Sequence, residues 1–258
     1  MASILFEIKN SIAYITLNRP EKYNAFNREM ALSLQQKLDD CDTNKALRCV
    51  FITGTGKAFS AGQDLEEVID PNGPGMSRLL AEHYNPIISK IRNLNKPVVA
   101  AVNGVAAGAG ANIALCCDVV IATQSAFFIQ AFSKIGLVPD NGGTFFLPRL
   151  AGFQKASALM MLGDKVSATE AERIGMIYKF FPDSSFKQES EKIAVILAEL
   201  PTKALAYTKE ALNKSITQNL EDQLKTEDEL QQKAGATKDF AEGVAAFLAK
   251  RKANFTGE

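Results

Sequence analysis

The sequence predicts an α/β fold in which short buried strands alternate with helices. Residues 4–8 and 12–17 alternate between apolar and polar side chains, and this pattern predicts two strands joined by a tight hairpin at Asn10 and Ser11. A strand, a glycine-containing loop and a helix then recur in 51–68 and again in 96–118. Strands that alternate with helices indicate a sheet with crossover connections.

The remaining elements follow from local signals. Residues 27–41 place Met30, Leu34 and Leu38 on one stripe, which predicts an amphipathic helix, and 47–54 form a short buried strand. Ser167 and Glu170 form a capping box, which predicts a helix that stops near Gly175. A short strand is expected in 176–181, and further helices are predicted over 185–199, 202–217, 220–234 and 237–250.

Composition limits the classes of function. The chain has 258 residues, of which 47% are hydrophobic and 22% charged, and it carries 29 basic and 29 acidic residues. This balance does not favour nucleic acid or an anionic membrane as a partner. We find no signal-peptide pattern and no apolar stretch of membrane-spanning length, so we expect a cytoplasmic protein. Four cysteines without CxxC or histidine partners predict reduced, mostly buried thiols and no metal site.

The glycine-rich segment 104–111 is not a nucleotide motif. It lacks the Gly-Lys-Ser/Thr ending of a P-loop, and its glycine spacing is not GxGxxG. No GxSxG surrounds Ser60, and the single histidine, His83, lies in a helical stretch, where we expect a structural or pocket-wall role. Neither phosphate binding nor a serine triad is favoured.

Backbone N–H groups offer another chemistry. A helix that begins near Ala109 leaves N–H groups unpaired at its start, and the loop 60–64 offers a second N–H near Gln63. Two converging donors would form an oxyanion hole, each worth roughly two to three powers of ten in rate. The alternative is that these small residues only permit close packing.

Asp140 lies in the segment Gly136–Thr144, which reads GLVPDNGGT. Pro139, Asn141 and the following glycines suit a turn, so Asp140 could be a turn residue only. The alternative is that the turn presents its carboxylate to a reacting carbon.

Several segments, taken together, resemble the crotonase (enoyl-CoA hydratase/isomerase) superfamily over nearly the whole chain. They are ITLNRPEKYNAFN, GKAFSAGQDL, KPVVAAVNGVAAGAGANIALCCDVVIA, GLVPDNGGT and EGVAAFLAKRKANF. The resemblance implies a spiral of ββα units with the acyl-CoA site in residues 1–198. It also implies a helical oligomerisation region in 199–258, with trimers often paired into hexamers. The thioester oxygen would be held by the N–H groups of Gln63 and Ala109, and coenzyme A would enter as part of the substrate, with no separate cofactor.

The resemblance also bears on the reaction. Hydratases of the family carry two glutamates at positions that match Asn112 and Phe132 here, and neither residue can accept a proton from water. A third acid position, used by some isomerases, matches Asp140. This pattern implies a double-bond isomerase that works through a thioester enolate, with Asp140 as acid and base. We expect burial beside Phe132, Ile135 and Leu137 to raise the pKa of Asp140.

Within the family, the motifs are most similar to isomerases of aerobic phenylacetate catabolism. This implies ring-1,2-epoxyphenylacetyl-CoA or 3,4-didehydroadipyl-CoA as the substrate. Lys22, Ala61 and Leu65 match segments that bind coenzyme A, although Lys22 could equally be a solvated lysine. A basic helix end, 250–252, could meet CoA phosphates across a subunit boundary.

Two alternatives remain. One is hydration or thioester hydrolysis that uses Glu66, Glu67 or a bound water. The other is a chiefly structural subunit in a hetero-oligomer with a hydratase.

Overall fold

The computed structural model describes residues 2–70, 73 and 75–258. Its strands are β1 (Ile4–Lys9), β2 (Ile12–Leu17), β3 (Cys49–Gly54), β4 (Ala58–Ser60), β5 (Val98–Val102), β6 (Val105–Ala107), β7 (Val119–Thr123), β8 (Phe127–Ile129), β9 (Lys165–Ser167) and β10 (Lys179–Phe181). The hairpin of β1 and β2 turns at Asn10 and Ser11, which both have positive φ, as its register requires.

The strands form two sheets that the chain visits in turn. The larger sheet has the order β1-β2-β3-β5-β7-β10, parallel throughout except for the β1-β2 pair. The smaller sheet has the order β4-β6-β8-β9, with β8 and β9 antiparallel. Three strands of the first sheet, β3, β5 and β7, are each followed by a short strand of the second sheet (β4, β6 and β8) and then by a helical segment. The predicted spiral of ββα units is therefore confirmed.

Most predicted helices are confirmed within a few residues. The helices are α1 (Arg28–Thr43), α2 (Leu65–Val68), α3 (Gly75–Arg78), α4 (Asn85–Asn93), α5 (Ala109–Leu115), α6 (Gly143–Ala151), α7 (Phe153–Leu162), α8 (Ala168–Arg173), α9 (Phe186–Glu199), α10 (Thr202–Ser215), α11 (Leu220–Gly235) and α12 (Lys238–Leu248). The Ser167 side chain caps α8 by accepting from the Glu170 N–H, as the capping box predicts. Helix α12 stops before the predicted residue 250, because Lys250 has φ of +51°.

The core has two layers, one on each face of the larger sheet. Along β3, Val50 and Ile52 point into the layer shared with α1, α4 and α5, whereas Cys49 and Phe51 point toward α9. This alternation explains why the strand reads as a continuous apolar run. All four cysteines are free and buried, as predicted. Within the described ranges, no helix has both the length and the hydropathy needed to cross a bilayer.

Helix α10 contacts the rest of the fold through a buried lysine, Lys209. The Lys209 ammonium is 2.8 Å from Asp118 Oδ2 and donates to the carbonyls of Ile91 at 2.6 Å and Lys96 at 3.3 Å. Asp118 also pairs with Arg92 at 3.0 Å. Burial lowers the pKa of Lys209, and the Asp118 charge opposes that change. The first C-terminal helix is therefore fastened to the core by an ionic contact.

Replacing Lys209 with methionine should lower the free energy of unfolding by about 3 kcal/mol, because the carboxylate and two carbonyls lose a buried donor. Urea titration at a fixed protein concentration measures this change. The control is Lys225→Met, which breaks an exposed pair with Glu221 within α11 and should change stability by less than about 0.5 kcal/mol. Equal losses in the two variants would contradict a special role for the buried contact.

Candidate active site

The loop that carries Gln63 is held in place from both sides. The Ser60 hydroxyl donates to the carbonyl of Asn24 at 2.8 Å and accepts from the Gly62 N–H at 3.1 Å. Next to it, the Phe26 N–H donates to the Gly62 carbonyl at 2.7 Å, and the Asp64 N–H donates to the Phe26 carbonyl at 2.9 Å. The backbone on either side of Gln63 is therefore fixed.

This pairing sets the direction of the Gln63 N–H. In extended backbone, neighbouring residues point their polar groups to opposite sides, so Gln63 points its N–H away from Phe26. On that opposite side lies the start of α5. A Cβ built on Gly62 would be 3.3 Å from the Ala109 nitrogen and 2.8 Å from the Ala107 oxygen. Gly62, with φ of +93°, permits this close approach.

Helix α5 begins directly beside this loop. Gly108 precedes it with φ of +50°, and its N–H donates to the Ile129 carbonyl at 2.9 Å. A Cβ on Gly110 would be 2.5 Å from the Ser60 oxygen, so the first turn also needs glycine to lie against β4. In the described part of the chain, the N–H groups of Gln63 and Ala109 find no acceptor. The structure thus brings together the two donors that the sequence predicted as a pair.

Asp140, from a separate loop, lies against α5 about one helical turn after Ala109. The Asn112 side chain, three residues after Ala109, donates its Nδ2 to the Asp140 carbonyl at 2.8 Å. The Gly143 N–H donates to the same carbonyl at 2.8 Å and closes the predicted turn. The segment is therefore a turn, as predicted, and it places Asp140 beside the helix that starts at the candidate oxyanion hole. That the turn presents the carboxylate to a reacting carbon stays a prediction.

The Asp140 carboxyl has an unusual environment. Burial raises its pKa from 3.8 to about 6, and its own backbone N–H opposes the change. Its Oδ1 is buried and accepts no hydrogen bond from the residues that the structure describes. A carboxylate that is desolvated and has no cation beside it binds a proton more tightly, so it becomes a stronger base.

The predicted cause of this burial was partly wrong. Phe132 is buried, but Ile135 and Leu137 are 53% and 37% exposed. The short 3-10 turn Ala131–Ile135 ends at Gly136, whose φ is +72°, and the chain then runs along the surface. Only Phe132, of the three predicted apolar neighbours, is in the interior.

Phe132 lies beside the candidate oxyanion hole. Its Cζ is 3.7 Å from the position that a Cβ on Gly108 would take. The two positions matched to hydratase acids thus hold a buried phenyl ring and an amide, Asn112, that is engaged with Asp140. Neither group is a base toward water.

Tyr84 was not singled out from the sequence. It ends the π-helical turn Leu79–Tyr84 and is 1% exposed. Burial, followed by the charges of Asp140, Glu67 and Asp64, raises the pKa of its phenol well above 10.0. The Tyr84 phenol therefore stays protonated in the electrostatic environment of Asp140. No sequence signal indicated this proximity, because Tyr84 reads as an ordinary aromatic residue in a helical stretch.

The three residues predicted to bind coenzyme A lie on neighbouring segments at the surface. Lys22 pairs with Glu66 at 2.6 Å, and the Ala61 N–H donates to the Tyr23 carbonyl at 2.9 Å. Leu65 begins α2 and is 50% exposed. The structure thus brings Lys22, Ala61 and Leu65 together beside the Gln63 loop, and their binding role stays a prediction.

The two glutamates of α2 differ. Glu66 faces solvent and pairs with Lys22. Glu67 accepts from the Arg28 N–H at 2.9 Å through Oε1, whereas its buried Oε2 has no partner among the described residues. Glu67 is therefore the candidate for an auxiliary acid.

Other polar groups around the site also have unsatisfied buried atoms. They belong to Gln63, Gln130 and Asn141, and Asn141 has φ of +50° and is 2% exposed. Buried polar atoms without protein partners are rare in native proteins, and a bound water or ligand is one way to satisfy them. The sequence showed Asn141 only as a turn residue.

Two further expectations concern side chains outside this cluster. His83 is buried and lies 2.9 Å from Arg28, which fits a pocket-wall or structural role, and burial lowers its pKa. At the C-terminal helix end, Arg251 pairs with Glu242 and Lys252 pairs with Glu199. These two cations have carboxylate partners within their own chain.

Comparison with known proteins agrees with these features. The profile of the enoyl-CoA hydratase/isomerase family matches residues 7–258. A 1,2-epoxyphenylacetyl-CoA isomerase of Escherichia coli is 45% identical, and the alignment covers both chains completely. A Rhodobacter capsulatus protein named "Probable enoyl-CoA hydratase" is 44% identical, with 99% of this chain and 98% of that protein covered. An enoyl-CoA hydratase structure from Bacillus anthracis has a TM-score of 0.92 at 31% identity, covering 99% of this chain and 100% of that one.

The pKa of Asp140 leads to a prediction about stability. The native carboxyl holds its proton up to about pH 6, whereas an unfolded one releases it near 3.8. Stability from this group is therefore complete below pH 3.8 and is lost as the pH rises through 6. Asp140→Asn should be more stable than wild type by about 2–3 kcal/mol at pH 8, and the difference should shrink toward pH 4.

Chemical denaturation of the two proteins at pH 4, 6 and 8 measures this difference. Glu66→Gln, which changes an exposed carboxylate in the same way, is the control and should show no gain at pH 8. A constant difference between Asp140→Asn and wild type at all three pH values would contradict a raised pKa.

Proposed function

The chain belongs to the enoyl-CoA hydratase/isomerase family, and we propose that it is an acyl-CoA isomerase with Asp140 as its acid and base. The observation that carries this proposal is the set of groups at the three family acid positions. Asp140 supplies a carboxyl whose pKa is raised to about 6, while Asn112 and Phe132 supply none. Hydratases of the family carry two acids, whereas one carboxyl is enough to remove a proton and return it at another carbon. The single carboxyl therefore favours isomerisation over the addition of water.

In the proposed reaction, Asp140 removes a proton from the carbon next to the thioester carbonyl. The electron pair moves onto the thioester oxygen, which accepts hydrogen bonds from the N–H groups of Gln63 and Ala109. The enolate then collapses, and protonated Asp140 returns the proton two carbons away. With 3,4-didehydroadipyl-CoA the double bond thereby moves by one position to give the 2,3-isomer, and the carboxylate is regenerated. With the ring epoxide, the bond between the two epoxide carbons breaks as the ring electrons rearrange to the oxepin, and the same proton transfer then moves a double bond into conjugation with the thioester.

A pKa of about 6 suits this task. Near neutral pH the carboxyl is mostly ionised and ready to accept a proton, yet it is a stronger base than an ordinary aspartate. Stabilisation of the enolate by the two N–H groups lowers the pKa of the substrate carbon. The donor and the acceptor of the proton therefore approach each other in pKa.

For the acyl group, we propose ring-1,2-epoxyphenylacetyl-CoA or 3,4-didehydroadipyl-CoA. The first is suggested by the relative from Escherichia coli, which is named as a 1,2-epoxyphenylacetyl-CoA isomerase. Phe132 beside Gly108 gives the site an apolar wall, which suits an aromatic-derived acyl group. Lys22, Ala61 and Leu65 would bind the CoA portion, and no cofactor besides the substrate's own coenzyme A is proposed.

Hydration by a related mechanism is the second candidate. Its supporting observation is Glu67, whose buried Oε2 lacks a partner among the residues described here. Glu67 could orient water while Asp140 exchanges the proton. A relative named as a hydratase at 44% identity also supports this candidate.

We propose that the C-terminal helices join copies of this chain. Helices α10 to α12 expose large apolar side chains, and membership of the family makes a homotrimer or a pair of trimers the expected assembly. The exposed residues are Leu212, Leu220, Leu224, Phe240, Val244, Phe247 and Leu248. The same surface could accept a related hydratase, so a structural role in a hetero-oligomer stays the third candidate, which an active homo-oligomer would exclude.

Asp140→Asn should lower isomerisation of both proposed thioesters by about 10²–10⁴-fold, because the amide cannot accept the proton. The measurements are product formation by liquid chromatography and exchange of the α-proton in D2O by NMR. The matched control for isomerisation is Asp164→Asn, which changes an exposed carboxylate in the same way. Glu67→Gln tests hydration, assayed with crotonyl-CoA. Wild-type exchange and turnover in Asp140→Asn would refute the assignment of Asp140.

Ala109→Pro should lower kcat by about 10²–10³-fold, because proline removes one of the two N–H donors. Proline is tolerated at the first position of a helix. Because Gly62 lies close to the Ala109 nitrogen, circular dichroism and oligomeric size are measured to verify that the variant folds. The control is Lys238→Pro, at the first position of the distant α12, which should leave kcat unchanged. If both variants kept full activity at the same oligomeric size, Ala109 would not contribute to an oxyanion hole.

A further inference from the structure

Both polar atoms of the Asn112 side chain form hydrogen bonds. The residue is 1% exposed, its Nδ2 donates to the Asp140 carbonyl at 2.8 Å, and its Oδ1 accepts from Gln130 Nε2 at 2.8 Å. Gln130, 3% exposed, directly follows β8. A chain of two buried hydrogen bonds therefore runs from the end of a strand, through α5, to the backbone of the candidate base.

Gln130 also determines which way the Asn112 amide points. An asparagine side chain has one donor end and one acceptor end, and only the donor end can bond a carbonyl. Because the Gln130 Nε2 donor faces Oδ1, the Nδ2 end is directed to Asp140. The Asp140 carbonyl, which can only accept, and the Gln130 donor both favour this orientation, so loss of the Gln130 donor leaves the carbonyl alone to maintain it.

The Asn112 amide packs directly against the backbone of Gly143, where no larger residue would fit. A Cβ built on Gly143 would lie only 2.4 Å from Asn112 Nδ2. The Gly143 N–H shares the Asp140 carbonyl with Asn112. The carbonyl is thus held by two donors, one from the turn itself and one from α5.

Helix α5 links this contact to the oxyanion hole. Ala109 begins the helix and Asn112 lies three residues later, on the same face. The helix that supplies one donor for the thioester oxygen therefore also holds the residue that removes the proton. A rigid spacing between these groups matters, because a misplacement of about 1 Å can reduce a rate by about 10²-fold.

We infer that Asn112 is a positioning residue, oriented by Gln130, which fixes the backbone of Asp140 relative to the Ala109 N–H. The inference rests on the proposed function for its effect on turnover. Asn112 therefore occupies a matched acid position without acting as an acid. It makes no proton transfer itself.

The test compares Asn112→Ala, Gln130→Ala and the double variant with wild type. Each single change should lower kcat by about 10–100-fold and alter KM by less than about threefold, because the substrate is still bound while the base is misplaced. The double variant should be no slower than Asn112→Ala, since Gln130 acts through Asn112. Additive losses would show that Gln130 acts by another route.

A second readout does not depend on turnover. The Asp140 carboxyl, observed by ¹³C NMR without substrate, should titrate near pH 6 in wild type and nearer 3.8 in Asn112→Ala, as the loosened turn admits water. The control is Asn219→Ala, which removes a two-sided amide contact with Asp222 at the start of α11. It should lower Tm without moving this titration or kcat.

The outcomes separate the two claims. If Asp140→Asn is inactive but Asn112→Ala keeps the wild-type kcat and titration, the positioning role is refuted and the proposed function stands. If Asp140→Asn is fully active, the proposed function is refuted, and the titration still decides whether Asn112 holds Asp140. Should Asn112→Ala fail to fold, Gln130→Ala provides the same two readouts.

Discussion

The candidate site depends on the close packing of two backbone segments, the loop 60–64 and the first turn of α5. Gly62 and Gly110 make this possible, because a Cβ at either position would lie 2.8 Å or less from a backbone oxygen. With the segments in contact, the N–H groups of Gln63 and Ala109 are left beside each other. Close packing, which the sequence offered as the alternative to an oxyanion hole, is therefore the condition for forming one.

The same packing connects the site to the two sheets. Loop 60–64 follows β4 and α5 follows β6, and these strands are neighbours in the smaller sheet. The next strand, β8, leads into Gln130 and Phe132. Three successive turns of the spiral thus deliver a donor loop, a helix start and a pocket wall to one place, which explains why residues distant in sequence meet there.

Sequence patterns predicted the parts of this arrangement that depend on local chemistry. The hairpin at Asn10, the cap at Ser167 and the turn at Asp140 each follow from residues within a few positions of one another. The chain of Gln130, Asn112 and Asp140 could not be predicted, because its members are separated by 18 and 28 residues and only the spiral aligns them. The exposure of Ile135 and Leu137 was missed for a related reason, since an apolar side chain does not reveal that its backbone runs along the surface.

The unpaired buried atoms around Asp140 reduce the stability of the fold. Desolvation of a carboxyl and burial of amide groups both cost free energy of folding, and a protein selected only for stability would pair or remove them. Here Asp140 Oδ1, Gln130 Oε1 and both polar atoms of Asn141 are buried without partners among the described residues. Nearby, the Asp140 backbone carbonyl has two donors. The backbone of Asp140 is thus held by two donors while its carboxyl lacks partners, and this arrangement supports the proposed role of Asp140 as a base that takes its proton from the substrate.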